Sequence, residues 1–340
     1  MLALVSIECN KLKTAPCLEL VKPIKMLSMN ESSTVSASEL IARRVAENNI
    51  WLGKEEVLKP DPTSLSPFAY QVLPNEQAVG EAMFGELAKY AETKSGDIVV
   101  MLLGGRGAQA MYRRIRALAE AGEIDELLGR LHVFTQDALA PMRMNNGLSF
   151  VRDFERLLGG VFFEKIKSFT PMITETDDVE RELTEYLKKL ESLGGIDIFF
   201  LGLGPEANAA SHLCYIKPGS GARYNDIAGI IPISASILEH HITKFKAGGS
   251  TVSGEDEAEC RAATHILTLG PAAITGAKKI VQSIVDASTA PAKRASFARL
   301  IETKFSTDRD ELARQTDENP GLWIRLNGNV TSFVLPDLIQ

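Results

Sequence analysis

The 340-residue chain has little of what builds metal centres or disulfide frameworks. Its four cysteines, Cys9, Cys17, Cys214 and Cys260, form no CxxC pair. That usage speaks against a disulfide scaffold and for reduced thiols in a cytoplasmic protein. Five histidines, His132, His212, His240, His241 and His265, show no HExxH or similar ligand spacing, so no metal is expected. No apolar run reaches membrane-spanning length, and no membrane association is expected. The net charge of −7 argues against a nucleic-acid scaffold, which carries a basic face, but is compatible with a local basic pocket for phosphate. No internal repeat or low-complexity segment occurs. Met1-Leu-Ala-Leu-Val-Ser-Ile7 is apolar but short, without a positive flank or a small-residue cleavage site, so a signal peptide is not expected. Met26 and Met29 are alternative starts. Residues 1–35 read as an N-terminal extension available for contacts in a homo-oligomer, and residues 36–340 as a single domain.

What is present is an alternation of short buried runs and amphipathic stretches. The segment from Ser36 to Asn48 predicts a helix capped by Ser36 or Ser38, and Lys59 to Pro67 a proline-broken loop. Val79, Met83, Leu87 and Tyr90 recur at helical spacing between Asn75 and Lys94. Asp97 to Leu103 is a continuous apolar run, as in a parallel strand covered on both faces. Further strands are predicted at Leu131–Phe134, Ile196–Leu201, Ile227–Pro232, Lys279–Val285, Leu322–Leu326 and Thr331–Leu335. Helices are predicted at Ala108–Glu120, Ser149–Leu158, Asp178–Leu193, Ala258–Thr268 and Pro291–Lys304. This order predicts one α/β domain with a mainly parallel sheet.

Three strand ends carry residues with chemistry. Asp137 follows the Leu131–Phe134 strand, and ligands of open α/β sheets bind outside the carboxyl ends of strands. A carboxylate there is a candidate proton-transfer group, or else a cap for the next turn. Gly104-Gly-Arg-Gly107 joins a buried strand to a helix. Its glycines allow close backbone approach, the helix start offers free N–H groups, and Arg106 adds a bidentate anion contact. The loop matches neither GxGxxG nor GxxxxGK, so the alternative is a plain tight turn. Gly202-Leu-Gly-Pro-Glu-Ala-Asn208 ends a third strand. Glu206 is a candidate acid or hydrogen-bonding group, and Asn208 lies beside it. A helical turn would put His212 on the face of Asn208, where a histidine reads as structural more readily than catalytic. Lys293 and Arg294 near a helix start oppose the helix dipole unless an anion sits between them. Ser149 and Arg223 are further candidates for hydroxyl and phosphate contacts.

Together these segments resemble one family. Gly104-Gly-Arg-Gly-Ala-Gln-Ala-Met-Tyr112 is similar to the strand–glycine loop–helix of glucosamine-6-phosphate deaminases, and Phe134-Thr-Gln-Asp137 to their catalytic-aspartate segment. Gly202-Leu-Gly-Pro-Glu-Ala-Asn-Ala-Ala-Ser211 resembles their second active-site loop, and resembles that of 6-phosphogluconolactonases more closely. Leu267-Thr-Leu-Gly270, Gly276-Ala-Lys-Lys-Ile280 and Ala292-Lys-Arg-Ala295 continue the likeness in order, from about Asn75 to Leu335. The resemblance implies a Rossmann-like three-layer α/β sandwich of the deaminase, ribose-5-phosphate isomerase and CoA-transferase type. It implies a small-molecule sugar phosphate as ligand and no redox cofactor. Asp137 would shuttle a proton between C1 and C2 of a ring-opened sugar, with Gly104, Gly105, Arg106, Gly107 and Lys293 holding the phosphate.

The departures from the family pattern are specific. Asn208 replaces a histidine, and an amide cannot exchange protons near neutral pH. Leu213 replaces a glutamate, Glu206 an aspartate, Ala207 a glycine, Arg106 a hydroxyl residue and Ala138 an acid. The expectation is therefore an isomerase or deaminase-like enzyme of carbohydrate metabolism with an altered site. The alternatives are a lactonase-like hydrolase and a sugar-phosphate-binding protein without activity.

Overall fold

The computed structural model describes residues 37–47, 49–54, 68–206 and 210–340, which belong to one compact unit. Along the chain run α1 (Ala37–Glu47), β1 (Ile50–Gly53), β2 (Tyr70–Val72), α2 (Glu76–Thr93), β3 (Ile98–Leu102), a 3₁₀ turn (Arg106–Ala108) and α3 (Gln109–Glu120). There follow α4 (Asp125–Leu128), β4 (Leu131–Thr135), β5 (Asp137–Ala140), α5 (Phe150–Lys165), β6 (Ser168–Thr170), α6 (Val179–Ser192) and β7 (Ile198–Leu201). Next come β8 (Gly204–Glu206), β9 (Ala210–His212), β10 (Asp226–Pro232), α7 (Ala235–Ala247), α8 (Gly254–Arg261), β11 (His265–Leu269) and α9 (Pro271–Gly276). The remainder is β12 (Lys279–Ile284), α10 (Ala292–Glu302), α11 (Arg309–Glu318), α12 (Leu322–Arg325) and β13 (Val330–Val334).

The apolar runs form a parallel sheet in the order β2-β13-β12-β7-β3-β4-β6, seven strands among the described residues. Side chains alternate across it. Ile98, Val100 and Leu102 of β3 enter one core with Met83, Met111 and Phe154. Val99 and Met101 enter the other with Leu183, Tyr186 and Leu190 of α6. Burial on both faces is why these strands read as unbroken apolar runs. Helices on both faces of the sheet make the expected three-layer α/β sandwich.

The chain departs from expectation in four places. A second sheet, β1-β10-β11-β5, is antiparallel and sits beside the parallel one. The helix expected over Ala258–Thr268 stops at Arg261, and His265–Leu269 is the inner strand β11 of that sheet. Ile266 faces one core while Leu267 and Leu269 face the other, so the stretch is buried on both sides. The strand expected at Leu322–Leu326 is the helical turn α12, in which Leu322, Trp323 and Ile324 are all buried. Helix α7 was not expected at all. Ser36 and Ser38 as caps, the proline-broken loop and the N-terminal extension lie outside the described residues or side chains.

Candidate active site

Strand β3 connects onward to β4 on one side of the parallel sheet, while β7 is flanked by β12 on the other. The order of connections reverses between β3 and β7, the place where open α/β sheets form a ligand crevice. A cleft lies there, with about 710 Å³ of atom-free space counted with its open mouth. The segments after β3, β4, β7 and β12 surround it, joined by α7 and by the hairpin β8–β9.

Gln136 positions Asp137. Its side-chain amide donates to the carbonyls of Leu102 at 2.8 Å and Phe200 at 3.3 Å, stitching the ends of β3 and β7 to the end of β4. The chain then leaves the parallel sheet and begins β5 of the antiparallel one, whose first residue is Asp137. Asp137 lines the cleft yet is 7% exposed. Among the described residues no hydrogen bond or ion pair holds its carboxyl group. Burial alone pushes its pKa up from 3.8 to about 8. A carboxyl group with a pKa near the working pH, at the mouth of a switch-point crevice, suits general acid–base chemistry.

The facing wall is cationic. Gly105 has φ of +75°, a conformation that L side chains resist, and it turns the chain into the 3₁₀ turn and α3. No side chain caps either start, and the Gln109 N–H that opens α3 donates to the Arg106 carbonyl. Arg106 lines the cleft while its guanidinium grips Glu76 at 2.5 and 3.1 Å, which raises its pKa further. Lys293, buried in the first turn of α10, is ion-paired with Asp286, and Lys244 of α7 stands 3.8 Å from the same carboxylate. Burial would raise the pKa of Asp286, but Lys293 and Lys244 hold it below the usual range. Burial lowers that of Lys293, against the pull of Asp286. The conflict between Lys293 and the helix dipole is thus met by the protein's own carboxylate. Against Arg106, Lys293 and Lys244 stand two carboxylates, Glu76 and Asp286, which leaves these five groups one net positive charge.

The other expected residues are distributed unevenly. Gly104, Gly105, Arg106, Gly107, Asp137 and Lys293 line the cleft together. Glu206 does not line it; its carboxylate accepts from Ser234 at 3.0 and 3.1 Å and from Ser236, at the start of α7. Ser149 caps α5, accepting from the Arg152 N–H at 3.2 Å and donating to the Met144 carbonyl at 2.7 Å, away from the cleft. Arg223 also stands apart; its backbone N–H donates to Asp226 at 2.6 Å. Asn208 and Ala207 lie outside the described residues. His212 is on strand β9 rather than a helical turn, and its ring lines the cleft. Gln136, Tyr215, His240, His241, Lys244 and Asp286 also line it and were not among the expected site residues. Among the described residues, no group of three or more His, Cys, Asp and Glu side chains is placed to hold a metal ion.

Comparison with known proteins agrees with this geometry at the level of fold. No model of a known protein family matches the chain. A glucosamine-6-phosphate deaminase of Borreliella afzelii is 24% identical over 139 residues, covering 40% of this chain, and the chain spans about half (48%) of that relative. A monomeric glucosamine-6-phosphate deaminase structure superposes with a TM-score of 0.62 at 17% identity, over 80% of this chain and 98% of the other. The 6-phosphogluconolactonase of Trypanosoma brucei gives 0.55 at 18% identity, over 81% and 98%. The cleft at the β3/β7 switch point and these likenesses agree: the chain has the fold of glucosamine-6-phosphate deaminases and 6-phosphogluconolactonases.

Proposed function

We propose that the protein is a sugar-phosphate isomerase or deaminase-like enzyme in which Asp137 transfers a proton between C1 and C2 of an open-chain sugar phosphate. The observation that carries this reading is a carboxyl group buried without a partner among the described residues, in a cleft that Arg106, Lys244 and Lys293 also line. A phosphate dianion anchored by the Gly104–Gly107 loop, Arg106 and Lys293 would leave the carbon end of the sugar toward Asp137. Transfer between adjacent carbons needs one carboxylate able to take a proton from one and return it to the other. A pKa near 8 makes both directions accessible. Glu206, held by two serines, is assigned an orienting part at the α7 start rather than proton transfer.

The test is a panel of aldose and amino-sugar 6-phosphates in deuterated water. The expected result is deuterium incorporation at C2, lost in Asp137→Asn while binding survives. Binding without exchange or turnover by the wild type would leave a binding protein in place of an enzyme. A second reading, hydrolysis of a sugar-phosphate lactone, is favoured by the Gly202-Leu-Gly-Pro-Glu206 loop and the likeness to lactonase structures. Lactone hydrolysis without C2 exchange would select it.

A further inference from the structure

We propose that His212 makes the cleft selective for a ligand presenting a hydrogen-bond donor, the anomeric hydroxyl of a cyclic aldose phosphate, and against a lactone, which presents a carbonyl there. This inference rests on the sugar-phosphate reading above and specifies which end state of the sugar the site accepts.

The argument begins with the tautomer. Nδ1 of His212 is hydrogen-bonded to the carbonyl oxygen of Cys214, which can only accept, so Nδ1 carries the hydrogen. Nε2 of the neutral ring is then a bare acceptor. It is buried and has no hydrogen-bond partner among the described residues. Burial, ahead of every other influence, holds the imidazole pKa down to about 4, so the ring stays neutral at physiological pH. Glu206 and Lys293 act on it through space with opposite sign.

The ring is seated by construction. A Cβ at position 204 would lie 1.9 Å from its Cε1 and 2.0 Å from its Nε2, so only glycine leaves room. Tyr215 lies against it, ring centres 4.9 Å apart. The hydroxyl of Tyr215 is committed elsewhere. Nε2 of His241 is 2.6 Å from the Leu148 carbonyl and must carry the hydrogen, so Nδ1 of His241 accepts from the Tyr215 hydroxyl at 3.1 Å. Tyr215 therefore has only oxygen lone pairs left to offer. Two adjacent side chains of the cleft lining, His212 and Tyr215, thus carry acceptors and no free hydrogen. A buried acceptor without a donor is costly, and a ligand hydroxyl relieves it. A lactone carbonyl would set acceptor against acceptor. Sites built to hydrogen-bond a ligand hydroxyl reject the analogue lacking it far more strongly than apolar pockets reject a methylene.

The experiment compares binding of glucose 6-phosphate, 1,5-anhydroglucitol 6-phosphate and 6-phosphogluconolactone by calorimetry, with inorganic phosphate as reference. The expected result is roughly 10- to 100-fold tighter binding of the aldose phosphate than of the other two. His212→Phe should bring the three within about 3-fold of one another and leave phosphate binding unchanged. Equal binding of the three by the wild type, or undiminished discrimination in His212→Phe, overturns this inference alone. Binding of phosphate but of none of the three sugars overturns the sugar-phosphate reading itself. Nitrogen-15 spectra of the histidine-labelled wild type serve if His212→Phe does not fold. They should show an unprotonated Nε2 in the free protein, and a protonated Nε2 there overturns the inference whatever the sugars do.

Discussion

At the scale of single residues, the cleft sets function against stability. An aspartate whose pKa is 3.8 unfolded and about 8 folded keeps its proton in the native state after the unfolded chain has lost it. The folded state then binds more protons than the unfolded one, so stability falls as pH rises from about 4 to about 8 and levels off above. The loss from this group is roughly 1.4 kcal/mol per pH unit crossed. Asp137→Asn removes the titration. It is expected to be more stable than the wild type at pH 8, with the advantage shrinking towards pH 4, as read by urea midpoints. Turnover, on the reading above, should fall about 100- to 10,000-fold. The wild-type rate should climb with pH through a midpoint near 8 to a plateau above it, as Asp137 becomes the carboxylate that accepts a proton. A flat profile from pH 6 to 9 with unchanged substrate binding would remove Asp137 from that role.

The cationic wall makes its own prediction at this scale. Phosphate should raise the melting temperature, by the equivalent of about 2.7 kcal/mol at a hundred times its dissociation constant. Arg106→Ala with Lys293→Ala should abolish the shift. Lys293→Ala should also lower stability by roughly 3–5 kcal/mol, because it leaves the buried Asp286 carboxylate with only the more distant Lys244. An unchanged phosphate shift in the double variant would place the anion elsewhere.

At the scale of elements, α7 joins the cleft to its surroundings. Ser234 caps it by accepting from the Ile237 N–H and also binds Glu206, while His241 and Lys244 on the same helix reach the cleft. Ser234→Ala should cost about 1–2 kcal/mol and weaken phosphate binding through the displaced Lys244, measured by thermal shift. A stability loss with unaltered phosphate affinity would mean that α7 holds its place without its cap.

Which elements were readable in the sequence follows from what buries them. β3, β4, β7 and β12 are covered on both faces, so their apolar runs were plain. Asp137 and the Gly104–Gly107 loop stand at the ends of such runs and were found with them. β11 is equally buried, but it follows α8 after only three residues, and a short apolar run beside a helix has no period of its own. Leu322-Trp-Ile-Arg-Leu326 is a short apolar run, whose period does not tell a strand from the helical turn α12. Lys244, His241 and Tyr215 enter the cleft through tertiary contacts alone, so no local spacing announced them. Asp286 stands seven residues before Lys293, beyond the three- or four-residue spacing of local pairs, and the end of β12 and the start of α10 bring them together.

At the scale of the molecule, the two sheets share their cores. β5 and β11 contribute Leu139 and Ile266 to the core that holds β3's Ile98 and Val100, and Leu267 and Leu269 to the core that holds Val99 and Met101. Among the described residues the antiparallel sheet has no core of its own, so the described unit should unfold in one transition. The two tryptophans test this, since Trp51 lies on β1 of the antiparallel sheet and Trp323 on α12. Trp51→Phe and Trp323→Phe leave one reporter each, and their fluorescence midpoints in urea should coincide with that of circular dichroism. Separated midpoints would mean that the antiparallel sheet melts by itself.

The sign of the cleft has a kinetic consequence. Its wall is positive, but the whole chain carries −7, so a sugar phosphate approaching from afar meets repulsion before attraction. Salt shortens the reach of the outer field to about 10 Å at 0.1 M and screens buried charges much less. Added salt should therefore speed ligand capture, the reverse of ordinary electrostatic steering towards an oppositely charged protein, and stopped-flow association rates at low and moderate ionic strength would display it.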